Sequence, residues 1–171
     1  MGYSTDFSGS FSVSPALSSD MISFLEAFSE TRRMCRNASV IKEIYPDWED
    51  NCFFGELGEE GAYFVGGGGF AGRDHDDSII DYNDPPQGQP GLWCQWIPSD
   101  DGTEIMWDGG EKFYHYTEWL EYIIDNFLAP NGYVLNGEVY WYGEESDDIG
   151  KIIVSDNQVD VKYGRVTYDY D

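Results

Sequence analysis

The stretch Tyr133-Val134-Leu135-Asn136-Gly137-Glu138-Val139-Tyr140-Trp141-Tyr142 decides the fold class. Asn-Gly between two runs of strand-forming residues is the strongest short-range hairpin signal, because both positions accept the positive φ that a tight primed turn requires. The stretch therefore predicts strands at 133–135 and 138–142, folded back on each other. Downstream, Lys151–Val154 and Val159–Tyr163 flank Ser155–Gln158 as a second hairpin, and Arg165–Tyr168 can add an edge strand. Upstream, Leu92–Ile97, a turn at 98–102 and Glu104–Trp107 form a third strand pair.

The N-terminal half adds helices. Phe7, Gly9, Phe11 and Val13 alternate with serines, which reads as a half-buried strand that Pro15 ends. Ser18 or Ser19 caps a helix carrying Met21, Phe24, Leu25 and Phe28 on one face, with Leu17 as a staple onto the first turn. Arg32, Arg33 and Arg36 are expected in its last turn, where cations suit the helix dipole. The stretch 42–60 is mixed, and Tyr63–Val65 reads as a short strand. Thr117 caps a second helix with the stripe Trp119, Leu120, Ile123, Ile124 and Phe127, stopped by Pro130-Asn131-Gly132. No βαβ rhythm appears. The expectation is one α+β domain over 1–171: a curved, mainly antiparallel sheet with two amphipathic helices packed on it. A long Gly/Pro-rich loop at about 71–91 is of a length that is often functional.

Charge sets the functional reading. The chain of 171 residues carries 33 Asp and Glu against nine Lys and Arg, a net charge of −24. Direct binding to nucleic acid or to an anionic membrane is excluded by repulsion. Disorder is excluded too, since 17% of the residues are aromatic and 41% hydrophobic. Residues 1–42 are neutral, with four acids and four bases, so the whole net charge lies in 43–171. The acids there form loop-sized clusters rather than a tail. From these clusters come the candidate partner-binding residues Asp74, Asp76, Asp77, Asp100, Asp101, Glu104, Asp108, Glu144, Glu145, Asp147 and Asp148.

Catalytic and cofactor motifs fail on spacing. Gly67, Gly69 and Gly72 satisfy GxGxxG, but Arg73-Asp74-His75-Asp76-Asp77 follows where a phosphate-binding helix start is needed. The acidic loops at 74–77 and 144–148 place Ile79 and Ile149 at the sixth position, where a calcium loop needs glycine. His75 and His115 are the only histidines and make no zinc set, and there is no GxSxG. Carboxylate pairs are guaranteed by chance among so many acids, so no catalytic residue, cofactor or metal is assigned. Cys35, Cys52 and Cys94 are odd in number and lack CxxC spacing, so buried reduced thiols are expected. There is no basic-plus-apolar leader and no apolar run long enough to span a bilayer, which points to the cytoplasm of a bacterial host.

Four segments carry a resemblance: Gly-Leu-Trp-Cys-Gln-Trp-Ile-Pro (91–98), Trp-Asp-Gly-Gly-Glu-Lys-Phe-Tyr (107–114), Glu-Trp-Leu-Glu-Tyr-Ile-Ile (118–124) and Gly-Tyr-Val-Leu-Asn-Gly-Glu-Val (132–139). Upstream it extends through Glu30-Thr31-Arg32-Arg33-Met34 and Gly66–Gly69 to Asp81-Tyr82-Asn83. The chain resembles a family of small acidic single-domain proteins encoded in bacterial genomes and phages. The resemblance implies a phage or mobile-element context and supplies no catalytic residues. By analogy with phage proteins that resemble DNA, the expected function is inhibition of a basic nucleic-acid-binding host defence protein of CRISPR or restriction type. Twenty-four charges match roughly 40 Å of duplex, about 12 base pairs. Two alternatives differ in class. One is an accessory interaction module with a solubilising surface, docking through its long loop or Trp93, Trp96 and Trp107. The other is a small-ligand or hydrolytic domain that closes the loop over Asp108, Glu111 and Lys112.

Overall fold

The computed structural model describes residues 2–66 and 75–170, and Asp74 and the glycines of the GxGxxG match lie outside that set. The architecture is α+β, with a mainly antiparallel sheet. Contacts gather into two compact units, residues 18–94 and residues 1–17 with 95–171.

The second of these holds six strands: β1 (Thr5–Ser14), then β4 (Trp96–Pro98), β5 (Glu104–Trp107), β6 (Val134–Gly143), β7 (Ile149–Ser155) and β8 (Gln158–Tyr163). Their order is β4-β5-β1-β6-β7-β8, every pairing antiparallel. Phe11, Val13, Trp96, Ile105, Leu135, Val139, Trp141, Ile152 and Val154 fill the inner face. Ser8, Ser12, Ser14, Glu138, Tyr140 and Tyr142 are exposed on the outer one. Helix α3 (Tyr116–Ile123) covers part of the inner face. The Trp96 indole donates to the Tyr116 carbonyl over 2.8 Å, and Phe7 meets the Tyr116 ring edge-on at 5.0 Å. The predicted apolar stripe is buried throughout, with Ile124 and Phe127 in a following π turn over Ile124–Leu128. Gly132 in the left-handed region ends it.

The hairpin at Asn136-Gly137 does not form. β6 runs unbroken through it and pairs with β1 at ten positions, from Thr5↔Gly143 to Ser14↔Val134. A hairpin would have paired only three residues of 133–135. The ten-residue β1 offers each of them a longer template, and tertiary pairing overrides turn chemistry. Gly137 keeps φ +141°, and a side chain there would meet the Ser10 carbonyl at 2.9 Å. The Asn136 side chain instead engages the next turn, accepting from the Asp156 amide over 2.8 Å. That turn, between β7 and β8, is a true primed turn, with Asp156 and Asn157 at φ 45° and 70°. Asn157 fastens it to β6, accepting from the Leu135 amide over 2.7 Å and donating to the Tyr133 carbonyl over 3.0 Å. The edge strand expected at 165–168 is absent, β4 begins later than expected, and α3 starts one residue before Thr117 after left-handed His115.

Residues 18–94 hold α1 (Ser19–Glu30), the short pair β2 (Cys35–Arg36) and β3 (Ile79–Asp81), and α2 (Ala38–Ile44). Ser18 caps α1, its Oγ accepting from the Met21 amide over 3.1 Å. The arginines are not in the last turn: α1 ends at Glu30, where Thr31 turns to extended backbone and its hydroxyl donates to the Ala27 carbonyl. Arg33 is 1% exposed and lies against the Phe28 ring. It donates to the carbonyls of Phe64 and Ala62 over 2.8 and 2.7 Å. Those carbonyls satisfy the guanidinium that burial strips of water. Tyr63–Val65 is irregular rather than a strand, and its Phe64 carbonyl is taken up by Arg33. β3 lies within the long stretch read as a loop.

Candidate functional site

Among the described residues no Asp or Glu is buried. All are exposed except Glu60, Asp76, Glu104 and Asp148, which are half-buried. Ion pairs among the described residues are few: Arg36–Asp76 and Lys151–Glu138 at 3.5 Å, joined by His115–Glu118 at 3.8 Å only when the imidazole is protonated. Two further cations have other partners. Arg32 donates to the Tyr82 carbonyl, and Lys42 sits over Trp48. The surface charge is therefore largely uncompensated.

The candidate carboxylates fall into two kinds. Asp74 lies outside the described residues. Asp76 is built into the fold: it accepts from Arg36 over 3.0 Å, from the Tyr45 hydroxyl over 2.6 Å and from Ser78. Desolvation would raise its pKa, but these donors outweigh it and hold the carboxyl down at about 2. Asp101 accepts from Ser99 and Thr103 inside the β4–β5 turn, and these donors lower its pKa. Glu104 accepts from Ser10, Asp108 from the Gly110 amide, and Glu144 from the Ser4 amide over 2.7 Å. Asp148 accepts from the Trp141 indole over 3.0 Å and from the Tyr3 hydroxyl over 2.7 Å. The carboxylates of Asp77, Asp100, Glu145 and Asp147 are exposed and have no partner among the described residues.

Register places two clusters at opposite ends of the sheet. Glu104 lies opposite Ser12, whereas the 144–148 turn follows Gly143, opposite Thr5. Seven residues of β1 separate those rows, about 23 Å at a strand's rise. The clusters at 100–104 and 144–148 are thus separate patches.

Beside the 144–148 turn lies a cavity of about 250 Å³, lined by His115, Tyr116, Glu118, Trp141 and Tyr163 among others. It opens between the start of α3 and the β6–β8 half of the inner face. Trp141, Gly150 and Tyr163 form one row across β6, β7 and β8. A Cβ at Gly150 would collide with the Trp141 ring, so the glycine lets that ring lean over β7. It meets Tyr163 edge-on at 5.6 Å and 82°, and Tyr116 at 5.8 Å. Burial, then the nearby Asp148 charge, pushes the Tyr116 hydroxyl up to about 12, so it stays a neutral donor. A second cavity, of about 480 Å³, lies in residues 18–94, with Asp20, Glu49 and Asp50 around Phe24 and the exposed, left-handed Phe54. Among the described residues no group of three or more His, Cys, Asp or Glu is placed to hold a metal.

Trp96 is buried and bonded to Tyr116, so it cannot serve as an exposed docking residue. Asp108 is exposed as a residue, but partial desolvation of its carboxyl raises its pKa, and it lines neither cavity. The aromatic cavity was missed in the sequence, where its one signal was a glycine facing aromatic positions on both neighbouring strands. No protein-family profile, curated protein or solved structure matches the chain.

Proposed function

We propose that this protein binds a basic nucleic-acid-binding protein in place of nucleic acid, its carboxylates standing in for phosphates. The observation that carries the reading is the excess of surface carboxylates over surface cations, sharpened by two arginines that fold inward. Arg33 and Arg36 are 1% and 2% exposed, while every described carboxylate reaches the surface at least in part. A net −24 presented this way gains the counterion release that drives basic grooves onto DNA. The contacts fall to the unengaged Asp77, Asp100, Glu145 and Asp147, while Asp76, Asp101 and Asp148 hold those loops in shape. A phage or mobile element countering a CRISPR or restriction effector is the setting in which such a surface serves best.

The test is capture of bound protein from nuclease-treated bacterial lysate on the immobilised chain. A nucleic-acid-binding protein should be retained, released by duplex DNA, and released by salt with a steep logarithmic dependence. Glu145→Lys with Asp147→Lys should weaken retention several-fold and flatten the salt slope. Recovery of no nucleic-acid-binding protein would sink the proposal.

A further inference from the structure

We infer that the outer edge of β8 is an interface for a second copy of this chain, the two β8 strands pairing antiparallel about a two-fold axis at Val161. β8 closes one side of the sheet, and among the described residues no strand lies beyond it. It pairs with β7 at six consecutive positions and contains no proline. A regular, uncovered edge of this kind is a template for pairing with another chain. Alternation along an antiparallel ladder fixes which backbone groups face outward. The Gly164 amide donates to the Ile149 carbonyl over 2.8 Å. Lys162, Asp160 and Gln158, in steps of two from it, therefore turn their backbone groups to β7. Val159, Val161 and Tyr163 turn theirs away from the sheet. In keeping with that phase, the Val161 amide donates to the Asp160 carboxylate of its own strand, over 3.0 Å.

Three central registers bring outward groups opposite outward groups, centred on Asp160, Val161 or Lys162. Centring on Asp160 sets that carboxylate against its own copy, and centring on Lys162 does the same to the ammonium. Like charges directly opposite are destabilising. Centring on Val161 sets Asp160 against Lys162 of the second copy, twice, at non-hydrogen-bonded positions where side chains come closest. The Val161 amide then passes from Asp160 to the Val161 carbonyl of the second copy, which releases Asp160 to the lysine. On the other face Val159 meets Tyr163 of the second copy and covers a ring that is 81% exposed. Charge complementarity thus selects both the occupant and the register. β8 carries one acid and one base, so this edge is neutral within a chain of net −24. Its residues span about 20 Å, so the contact is small and the dimer weak.

Dimerisation does not rest on the proposed function, because β8 holds none of the carboxylates assigned to the basic partner. The test is sedimentation velocity of the full chain from micromolar to sub-millimolar concentration, at low and at high NaCl. A monomer–dimer equilibrium is expected, tightening as salt screens the net charge. At fixed salt, Asp160→Lys should weaken it about tenfold although it lowers the net negative charge, because it sets ammonium against ammonium across the axis. Adding Lys162→Asp to that variant should restore the dimer. Val161→Pro removes an outward N–H at an edge, where proline is tolerated, and should leave a monomer that circular dichroism shows to be folded. If that variant unfolds, the charge exchange alone decides. A chain that stays monomeric at every concentration and salt overturns the inference. So does a dimer that survives in folded Val161→Pro, one indifferent to Asp160→Lys, or one that the double exchange fails to restore.

Discussion

At the residue scale, the most consequential carboxylate is one that binds nothing outside the protein. Asp76 joins Arg36, Tyr45 and Ser78, and its carboxyl is held near 2 against an ordinary 3.8. A depressed carboxyl contributes stability that is complete above its unfolded value and lost as pH falls through its folded one. Stability should therefore drop between about pH 4 and pH 2, and Asp76→Asn should remove that limb of the curve, as urea unfolding across pH would show. Asp76→Ala should cost about 2 kcal/mol, because it leaves the buried Arg36 guanidinium without its anion. Cys35 shows the opposite sign. Burial, reinforced by its bond to Glu60, raises its thiol to about 11. It should alkylate far more slowly at pH 8 than a free thiol, and equal rates would show that Glu60 does not hold it.

At the element scale, β6 is the strand on which the sheet turns. Gly137 sits at φ +141° against the Ser10 backbone, so Gly137→Ala should destabilise by about 1–2 kcal/mol. A hairpin there would tolerate alanine no better, so a second variant separates the two topologies. Asn157→Ala removes the bonds to Leu135 and Tyr133 and should cost about 1–2 kcal/mol, which a 136–137 hairpin does not predict. Gly150→Val would drive a side chain into Trp141, with the loss of its indole resonance position as the readout.

At the scale of the whole molecule, the dominant force is self-repulsion by a net −24. Melting temperature should climb as the Debye length shortens from about 30 Å at 0.01 M to about 8 Å at 0.15 M salt. It should also rise on acidification toward pH 5, then fall below pH 4 as Asp76 protonates. A melting temperature flat in salt would show that the carboxylates are too dispersed to act as one field.

Strand and helix positions with a strong repeating pattern were legible in advance: Phe11 and Val13 on β1, and Trp119, Leu120 and Ile123 on α3, are buried as their spacing requires. Burial of apolar side chains acts locally enough for periodicity to reveal it. The β7–β8 turn was legible for the same reason. The fate of Asn136-Gly137 was not, because its choice between turning and continuing depends on β1, more than 120 positions away. The candidate carboxylates were legible as a charge but not as a site. Which of them are consumed depends on donors such as Tyr3, 145 residues from Asp148, and the aromatic cavity depends on a row that exists only after three strands have paired. The sequence determined by itself the α+β class and the sign and size of the charge, because composition and short periodicities suffice for both. Only the tertiary structure decided which charges remain free and where the aromatic rings converge, because long-range pairing places them.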